Sequence, residues 1–428
     1  MLTRRHALAA GSLTMLGVLA ACGPHARDSA SDGSSSIRLA WWGNASREEE
    51  TRKVVDQFLE SAGDLEVRVE PAEWAAYWDK LATQTAAGDG PDVFQMDEQY
   101  LAEYASRGAL LDLADSGLDT SGLDQSALDT GTHGDAGLAA VPTGLNAAAV
   151  LINPALFEAA GVEIPDDESW TWDDYLETAE AIASGSEDGV FGTAQLADNP
   201  AAFPVWLRQS GSALWADGGL GFDEQGATSW FEFAKRVADS PASPGADQHV
   251  EDAAQGIDQS LFATDRIAMI MTWSSISVNY DSMMDDGTRL LKMPSASGRA
   301  AEAALWYKAS MYWAISSGSA DEQAALDLVG FLLNDEGAGR IIGFDRGVTS
   351  NRDVREAVLG EISDSARKPS DYLDRIADEL GDAPAPTPPG GTVYEGALSR
   401  AAQDVMFGAA EPSAVAAALV AELSAAVG

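Results

Sequence analysis

The chain of 428 residues contains one cysteine, Cys22, and four histidines. A single cysteine excludes an internal disulfide and a metal site built from several cysteines. His25, His133 and His249 do not have the spacing of metal ligands, and solvated surface is the simpler interpretation of each. We therefore expect no metal and no other cofactor.

Basic residues are scarce. The chain has 26 Lys and Arg against 68 Asp and Glu, and its formal net charge is −42. Nucleic-acid binding needs a basic surface that displaces counterions from phosphates, so this composition argues against it. It also disfavours a broad electrostatic contact with anionic lipid. Hydrophobic residues make up 46% of the chain, which is enough to build a sizeable core.

Common enzyme motifs are absent from the sequence. It has no G-x-S-x-G nucleophile motif, no Walker loop and no H-E-x-x-H zinc motif. No unit of about 20–50 residues repeats, which excludes solenoids and propellers. The abundant carboxylates leave a general acid–base pair open. The sequence favours a protein that is not an enzyme.

A long apolar run occurs only at the N-terminus. Arg4 and Arg5 precede an apolar stretch over residues 7–21, which is short for a helix that must span ~30 Å of hydrocarbon. A charged start and a short apolar stretch are typical of a signal peptide. Thr3-Arg4-Arg5 also resembles a twin-arginine export signal, and the choice between the two export routes stays open.

The end of this stretch resembles a bacterial lipobox. Leu19-Ala20-Ala21 stands directly before Cys22, the residue that a lipobox lipidates. We predict a signal peptide over residues 1–21, and a lipidated Cys22 that begins a flexible polar tether over residues 22–36. The protein would then lie outside the cytoplasm, anchored to the cell membrane by lipid.

Strand and helix patterns alternate after the tether. β-type runs over residues 37–42, 65–69 and 91–96 enclose helical patterns over residues 46–59 and 73–87. Because parallel neighbours need helical crossovers, this order predicts an α/β fold with open, mainly parallel sheets. Further helix starts are predicted where Asn153 precedes Pro154 and where Thr171 precedes Asp174. Residues 384–391 predict a loop and residues 394–427 two helices.

Tryptophan is frequent, with twelve Trp against nine Tyr. Flat aromatic side chains stack on the C–H faces of sugars, and Asp, Asn and Arg bind sugar hydroxyls. Core packing explains each Trp at least as well when it is taken alone. The candidates at strand ends or in loops are Trp41, Trp42, Trp74, Trp78, Trp206, Trp273, Trp306 and Trp313.

The order of several segments resembles the extracellular solute-binding lipoproteins of ATP-driven sugar importers, the maltose-binding-like class. The resemblance covers nearly the whole chain. The segments that carry it are Trp74-x-x-Tyr77-Trp78, Pro91-Asp92-Val93-Phe94-Gln95-Met96-Asp97, Val141-Pro142-Thr143-Gly144-Leu145-Asn146, Trp170-Thr171-Trp172-Asp173-Asp174-Tyr175, Ala268-Met269-Ile270-Met271-Thr272-Trp273 and Trp313-Ala314-Ile315-Ser316.

The resemblance implies two α/β lobes joined by hinge strands, which close on a ligand held between them. Residues 37–143 and 293–343 would form one lobe, and residues 144–292 and 344–428 the other. The resemblance also implies a carbohydrate ligand and an ABC permease as partners. A secreted carbohydrate-active enzyme and a surface glycan sensor or adhesin are the alternatives.

Ligand-binding positions also follow from the resemblance. Asp97 and its neighbour Glu98 follow a strand where the class places a carboxylate on sugar hydroxyls, and Trp273 follows the strand that usually supplies a stacking Trp. Ala309-Ser310 stands where the family commonly has a Gly-Gly pair, with Met311 next. The full set of expected ligand-binding residues is Trp42, Asn44, Tyr77, Asp97, Glu98, Asn146, Arg208, Trp273, Ser310, Met311, Arg346 and Asn351.

Overall fold

The structure is a computed structural model that describes residues 35–43, 45–216 and 218–428. The predicted signal peptide, the lipidation site Cys22 and the candidate ligand residue Asn44 lie outside the described residues.

Twelve strands are found in this part of the chain. They are β1 (Ser36–Trp42), β2 (Glu66–Ala72), β3 (Val93–Met96), β4 (Val141–Asn146), β5 (Ala148–Ile152), β6 (Phe191–Thr193), β7 (Trp215–Ala216), β8 (Gly219–Leu220), β9 (Ile267–Trp273), β10 (Arg289–Leu291), β11 (Lys308–Ile315) and β12 (Val348–Thr349).

Helices connect and cover these strands. Those of the described residues are α1 (Ala45–Leu59), α2 (Trp74–Ala86), α3 (Glu98–Ser106), α4 (Gln125–Asp129), α5 (Pro154–Ala160), α6 (Trp172–Gly185), α7 (Ala202–Gln209), α8 (Glu224–Asp239), α9 (Ala246–Ala253), α10 (Ser277–Asp281), α11 (Glu322–Asn334), α12 (Glu336–Ile342), α13 (Arg352–Leu359), α14 (Asp364–Ile376), α15 (Tyr394–Met406) and α16 (Pro412–Val427).

The predicted helix starts at α5 and α6 are confirmed, and both depend on local capping. The Asn153 side chain accepts hydrogen bonds from two backbone N–H groups of the first turn of α5, and Pro154 opens that helix. Thr171 and Asp174 form a capping box at the start of α6. These caps satisfy N–H groups that have no partner inside the helix.

Two main sheets form the framework. The first has six strands in the order β12-β4-β11-β3-β1-β2, and the second has four in the order β10-β5-β9-β6. In the first sheet β1 is parallel to β2 and β3, whereas β11 is antiparallel to β3 and β4. In the second only β6 and β9 are parallel. The two-lobed α/β fold is confirmed, and its sheets are more mixed than the predicted, mainly parallel order.

Each sheet has its own hydrophobic core. The six-stranded sheet contributes buried side chains to two hydrophobic clusters. Leu39 and Trp313 belong to one cluster, and Met96 and Tyr312 belong to the other. The four-stranded sheet lies within a larger core that also takes in the C-terminal helices α15 and α16. Burial on both faces explains the nearly continuous apolar sequences of the inner strands β3, β5 and β9.

The chain passes between the two sheets by short extended segments. Ala147 alone separates β4 in the first sheet from β5 in the second. The buried Trp306 packs with the second core, and β11 starts two residues later in the first sheet. Strand ends from both sheets therefore meet at one boundary.

Packing departs from the predicted lobe boundaries in two stretches. The strand β12 pairs with β4 in the first sheet, and α13 packs against α12, although the predicted boundary at residue 344 assigns them to the second lobe. Met293, Leu305 and Trp306 belong to the second core, although residues 293–343 are assigned to the first lobe. Local sequence patterns do not reveal which of two neighbouring cores buries a connecting segment.

None of the helices in the described residues combines the length and the apolar character needed to cross a membrane.

Gly144 lies in β4, close to the point where the chain passes from the first sheet to the second, and it allows the backbone of β4 to approach that of Arg346 closely. Gly144 in β4 pairs with both β11 and β12, and a Cβ at this position would lie 2.1 Å from the carbonyl oxygen of Arg346. A backbone atom cannot move aside as the end of a flexible side chain can, so a methyl group must displace the strand.

We expect Gly144→Ala to lower the free energy of unfolding by about 1–3 kcal/mol. The matched control is Gly360→Ala, because the nearest neighbour of a Cβ at Gly360 would be the carbonyl oxygen of Ala357 at 3.5 Å, an ordinary contact. Denaturant unfolding of both variants measures the difference. Equal unfolding midpoints would contradict the steric role of Gly144.

Candidate functional site

A cavity of about 470 Å³ lies where the two sheets meet. Its size is within the range of about 300–1,000 Å³ that is usual for small-molecule sites. The first sheet and its helices contribute Trp74, residues 97–100 and Lys308. The remaining lining residues come from the core around the four-stranded sheet, which we call the second core, and from the loop over residues 384–391, which we call the late loop. Among them are Arg208, Trp215, Trp273, Trp306, Pro384, Tyr394 and Glu395.

Indole rings line the cavity. Trp273 ends β9, and its ring centroid lies 6.3 Å from that of the buried Trp306, with the planes at 75°. Trp74 starts α2 and is 40% exposed, which is unusual for so large an apolar side chain. These rings present flat apolar surfaces to a ligand.

Two cations lie against these indoles. The Lys308 ammonium lies 5.4 Å from the centroid of the Trp273 ring, and the Arg208 guanidinium lies 4.9 Å from that of Trp306. Both distances are within the ~6 Å range of cation–π attraction. Arg208 is further held by its Nε, which donates to the carbonyl of Ala304 at 2.9 Å, and by Nη2, which donates to that of Asp382 at 2.8 Å. Burial lowers the pKa of this guanidinium.

Carboxylates approach the cavity from the start of α3. Asp97 caps this helix by accepting a hydrogen bond from the backbone N–H of Gln99 at 3.1 Å. Glu98 lies 3.2 Å from the Lys308 ammonium. Burial raises the pKa of Asp97, and Lys308 opposes that rise without cancelling it. Burial lowers the pKa of Lys308, but the surrounding carboxylates, with Glu98 foremost, outweigh it and raise the pKa overall.

The late loop and the start of α15 supply Tyr394 and Glu395. Tyr394 is 8% exposed, and its hydroxyl has no hydrogen-bond partner among the described residues. Partial burial raises the pKa of Glu395, and Asp97 raises it further against the opposing effect of Lys308. The cavity is thus lined both by flat aromatic side chains and by side chains that can form hydrogen bonds.

A family model for bacterial extracellular solute-binding proteins matches residues 53–367 of this chain. The chain belongs to that family. The sequence-based assignment to this family is therefore confirmed.

A lipoprotein encoded 5′ of oleD in Streptomyces antibioticus, itself uncharacterized, is 28% identical over 184 residues. The match spans 41% of this solute-binding protein and 39% of that relative.

Solved structures share the fold across nearly the whole chain. A periplasmic solute-binding protein of Pectobacterium atrosepticum is 20% identical with a TM-score of 0.79, covering 92% of this chain and 100% of the other. The GacH receptor of Streptomyces glaucescens, solved unliganded and with acarbose, is 17% identical with a TM-score of 0.73, over 92% and 98%. An oligogalacturonide-binding protein of Yersinia enterocolitica, solved with saturated digalacturonic acid, is 21% identical with a TM-score of 0.77, over 91% and 97%.

Four of the residues expected to bind ligand line the cavity of this solute-binding protein: Asp97, Glu98, Arg208 and Trp273. Three of them lie at strand ends or helix starts beside the boundary between the sheets. The structure thus brings the strongest sequence candidates together.

Trp42 and Tyr77 are placed in the core instead of on the cavity wall. Trp42 is 8% exposed, and its ring lies edge-on to that of Trp74 with 4.9 Å between centroids. The hydroxyl of the buried Tyr77 donates to the carbonyl of Gln95. Trp42 therefore packs against Trp74, and Tyr77 packs against Trp42 with 5.4 Å between ring centroids.

Asn146, Ser310 and Met311 hold the crossing strands. The side-chain oxygen of Asn146 accepts from the backbone N–H of Ser275 at 3.1 Å. The Ser310 hydroxyl donates to the carbonyl of Arg346, and the side chain of Met311 is 8% exposed within a core. These side chains are occupied by contacts within the protein.

Arg346 and Asn351 are also internal. Arg346 donates from Nε to Gln95 at 3.2 Å and from Nη2 to Thr51 at 2.8 Å, and its guanidinium faces the Trp313 ring. Asn351 caps α13 by accepting from the backbone N–H groups of Asp353 and Val354. Since neither residue is among those that line the cavity, their predicted contact with ligand has no geometric support.

Several residues that line the cavity are not in the set of ligand-binding residues predicted from the sequence. Trp74 and Trp306 were only among the general tryptophan candidates, and Lys308, Tyr394 and Glu395 carried no motif. The one available signal for Lys308 is a charge directly before an apolar strand. Glu395 follows the Pro- and Gly-rich loop over residues 384–391, a composition that indicates a turn and not a site. Among the described residues, no group of three or more His, Cys, Asp or Glu is arranged to hold a metal ion.

The raised pKa of Asp97 has a consequence for stability. Folding disfavours the ionised carboxylate, so at neutral pH the charge costs stability, and this cost vanishes once the pH falls below the ordinary pKa of an aspartate. We expect Asp97→Asn to raise the melting temperature of the ligand-free protein by about 1–2 °C at neutral pH. Asn caps helices as well as Asp does, so the helix start is preserved.

Thermal unfolding at neutral pH and below pH ~4 measures this effect. Asp56→Asn on the exposed side of α1 is the matched control. A lower melting temperature for Asp97→Asn at neutral pH would show that the charge is stabilising in the folded state, contrary to this expectation.

Proposed function

We propose that this solute-binding protein captures a saccharide in the cavity between its two sheets and delivers it to an ABC import permease. The observation that carries the proposal is the pairing of exposed or edge-placed indoles with carboxylates and Arg208 around one cavity. Sugars have both apolar C–H faces and many hydroxyls, so they need this combination.

The relatives support this ligand class. Two of the structural neighbours were solved with saccharide-type ligands, acarbose in one and saturated digalacturonic acid in the other. Their identity to this chain is low, so they support the fold directly and the ligand class only by analogy.

Closure of the lobes would signal to the permease that a ligand is bound. Asp97 and Trp74, at the starts of helices that pack on the first sheet, and Trp273, at the end of a strand of the second, line the same cavity. A ligand that contacts residues of both lobes interacts more strongly with the closed state than with the open one, so it shifts the population toward closure. A permease can then distinguish the loaded protein by its shape.

The first test concerns stacking on Trp273. A saccharide that binds the native state at a hundred times its Kd stabilises the protein by ~2.7 kcal/mol, so a glycan panel should raise the melting temperature. We expect Trp273→Ala to weaken binding of the active glycan by about tenfold or more, because the stacking surface is lost. Trp273→Phe should retain part of the affinity.

Phe407→Ala is the matched control, since Phe407 is 52% exposed and does not line the cavity. Titration calorimetry with the same glycan compares the three variants. A panel in which peptides or metal ions shift the melting temperature and glycans do not would overturn the proposed ligand class.

We also propose that lipid on Cys22 anchors the protein to the outer face of the cell membrane. The relative from Streptomyces antibioticus is itself called a lipoprotein, which supports this position. Cys22→Ala should move the full-length protein from the membrane fraction to the soluble one, because a lipobox without cysteine cannot be acylated. Fractionation with and without detergent measures it. Membrane retention of Cys22→Ala would contradict the anchor.

A further inference from the structure

The charges around the cavity do not balance. Three carboxylates, Asp97, Glu98 and Glu395, share it with two cations, Lys308 and Arg208. Lys308 is paired with Glu98 at 3.2 Å. Arg208 donates from two nitrogens to backbone carbonyls and stacks on Trp306. No salt bridge of the described residues involves Asp97 or Glu395 with either cation at 4.0 Å or less.

The surroundings of the Lys308 ammonium indicate that the cavity can hold an organic cation. Its ammonium lies between the Trp273 ring, 5.4 Å away, and the Glu98 carboxylate. An aromatic face beside a carboxylate is the environment that binds organic cations. Further aromatic side chains, those of Trp74, Tyr100 and Trp215, also line the cavity.

A second observation is independent of the charges. The hydroxyl of Tyr394, a side chain that is 8% exposed, has no hydrogen-bond partner among the described residues. Tyr394 lines the cavity next to Glu395. A buried hydroxyl without a partner costs free energy, so a polar ligand group that supplies the missing bond is favoured at this position.

We propose that the saccharide carries an amino group, and that its ammonium binds on the side of the cavity formed by Asp97, Glu98 and Glu395. This inference rests on the proposed function and narrows its ligand class to aminated sugars or glycosides. The carboxylates are not arranged as a metal site, so a compact inorganic cation is the poorer match.

The direction of the pKa changes agrees with this geometry. Burial raises the pKa of both Asp97 and Glu395, and Lys308 is the cation that opposes the rise at each. The two carboxylates therefore lack full compensation in the ligand-free protein. An ammonium from the ligand would supply the missing positive charge and stabilise both ionised forms.

Matched sugars test the inference. The probes are glucose with glucosamine, cellobiose with the chitosan disaccharide, and galactose with galactosamine, each beside the corresponding uronic acid. Titration calorimetry at neutral pH should give tighter binding of the aminated member in every pair that binds, by about tenfold, because an additional charge-assisted hydrogen bond forms. The preference should fall at high salt.

Glu395→Gln tests the position of the ammonium. It keeps the shape of the side chain and removes its charge, so the ratio of aminated to neutral affinity should fall several-fold. Glu232→Gln on the exposed side of α8, outside the cavity, is the matched control and should leave the ratio unchanged. Circular dichroism of both variants verifies that the fold is retained.

The outcomes separate this inference from the proposed function. Equal affinity for aminated and neutral members, or tighter binding of the uronic acids, overturns the amino group and leaves saccharide binding intact. An amine preference that Glu395→Gln leaves unchanged overturns the assigned position. Failure of every aminated sugar to bind overturns the inference, and failure of every saccharide overturns both.

Discussion

The separation of the chain into two independently packed sheets is the constraint on which the other features depend. A strand that ends at the boundary between two cores presents its last side chains to that boundary, where they are not fully buried by either core. Trp273 at the end of β9, Asp97 after β3 and Lys308 at the start of β11 are in this position. Strand ends therefore supply part of the cavity lining, and the buried Trp306 and Tyr394 join that lining to the second core.

The same constraint separates the residues that line the cavity from the residues that hold the strands in place at the boundary between the sheets. Gly144 and Ser310 bring β4, β11 and the backbone of Arg346 into close contact, so this region has little freedom in its local packing. The single residue Ala147 links the sheets at the first crossing. Any relative movement of the lobes would have to be absorbed by a few backbone angles at these crossings, as in hinge closure generally.

Local features were predictable from the sequence, and long-range ones were not. The caps at Asn153 and Thr171 depend on neighbours within three residues, so their pattern alone identifies helix starts. Asp97 and Trp273 are predicted from the resemblance to the solute-binding class, which places ligand-binding side chains directly after these two strands. Glu395 reaches the same cavity only through the packing of α15 against the rest of the second core, and nothing near it in sequence records that contact.

Net charge also says less about the ligand than the pairing of individual carboxylates does. Most of the 68 acidic residues are surface groups whose fields are screened over about 8 Å at physiological ionic strength, so the value of −42 mainly keeps the protein solvated. Inside the cavity, partial burial weakens that screening. The proposed preference for a cationic ligand therefore rests on three carboxylates, of which Glu98 already has Lys308 as a partner.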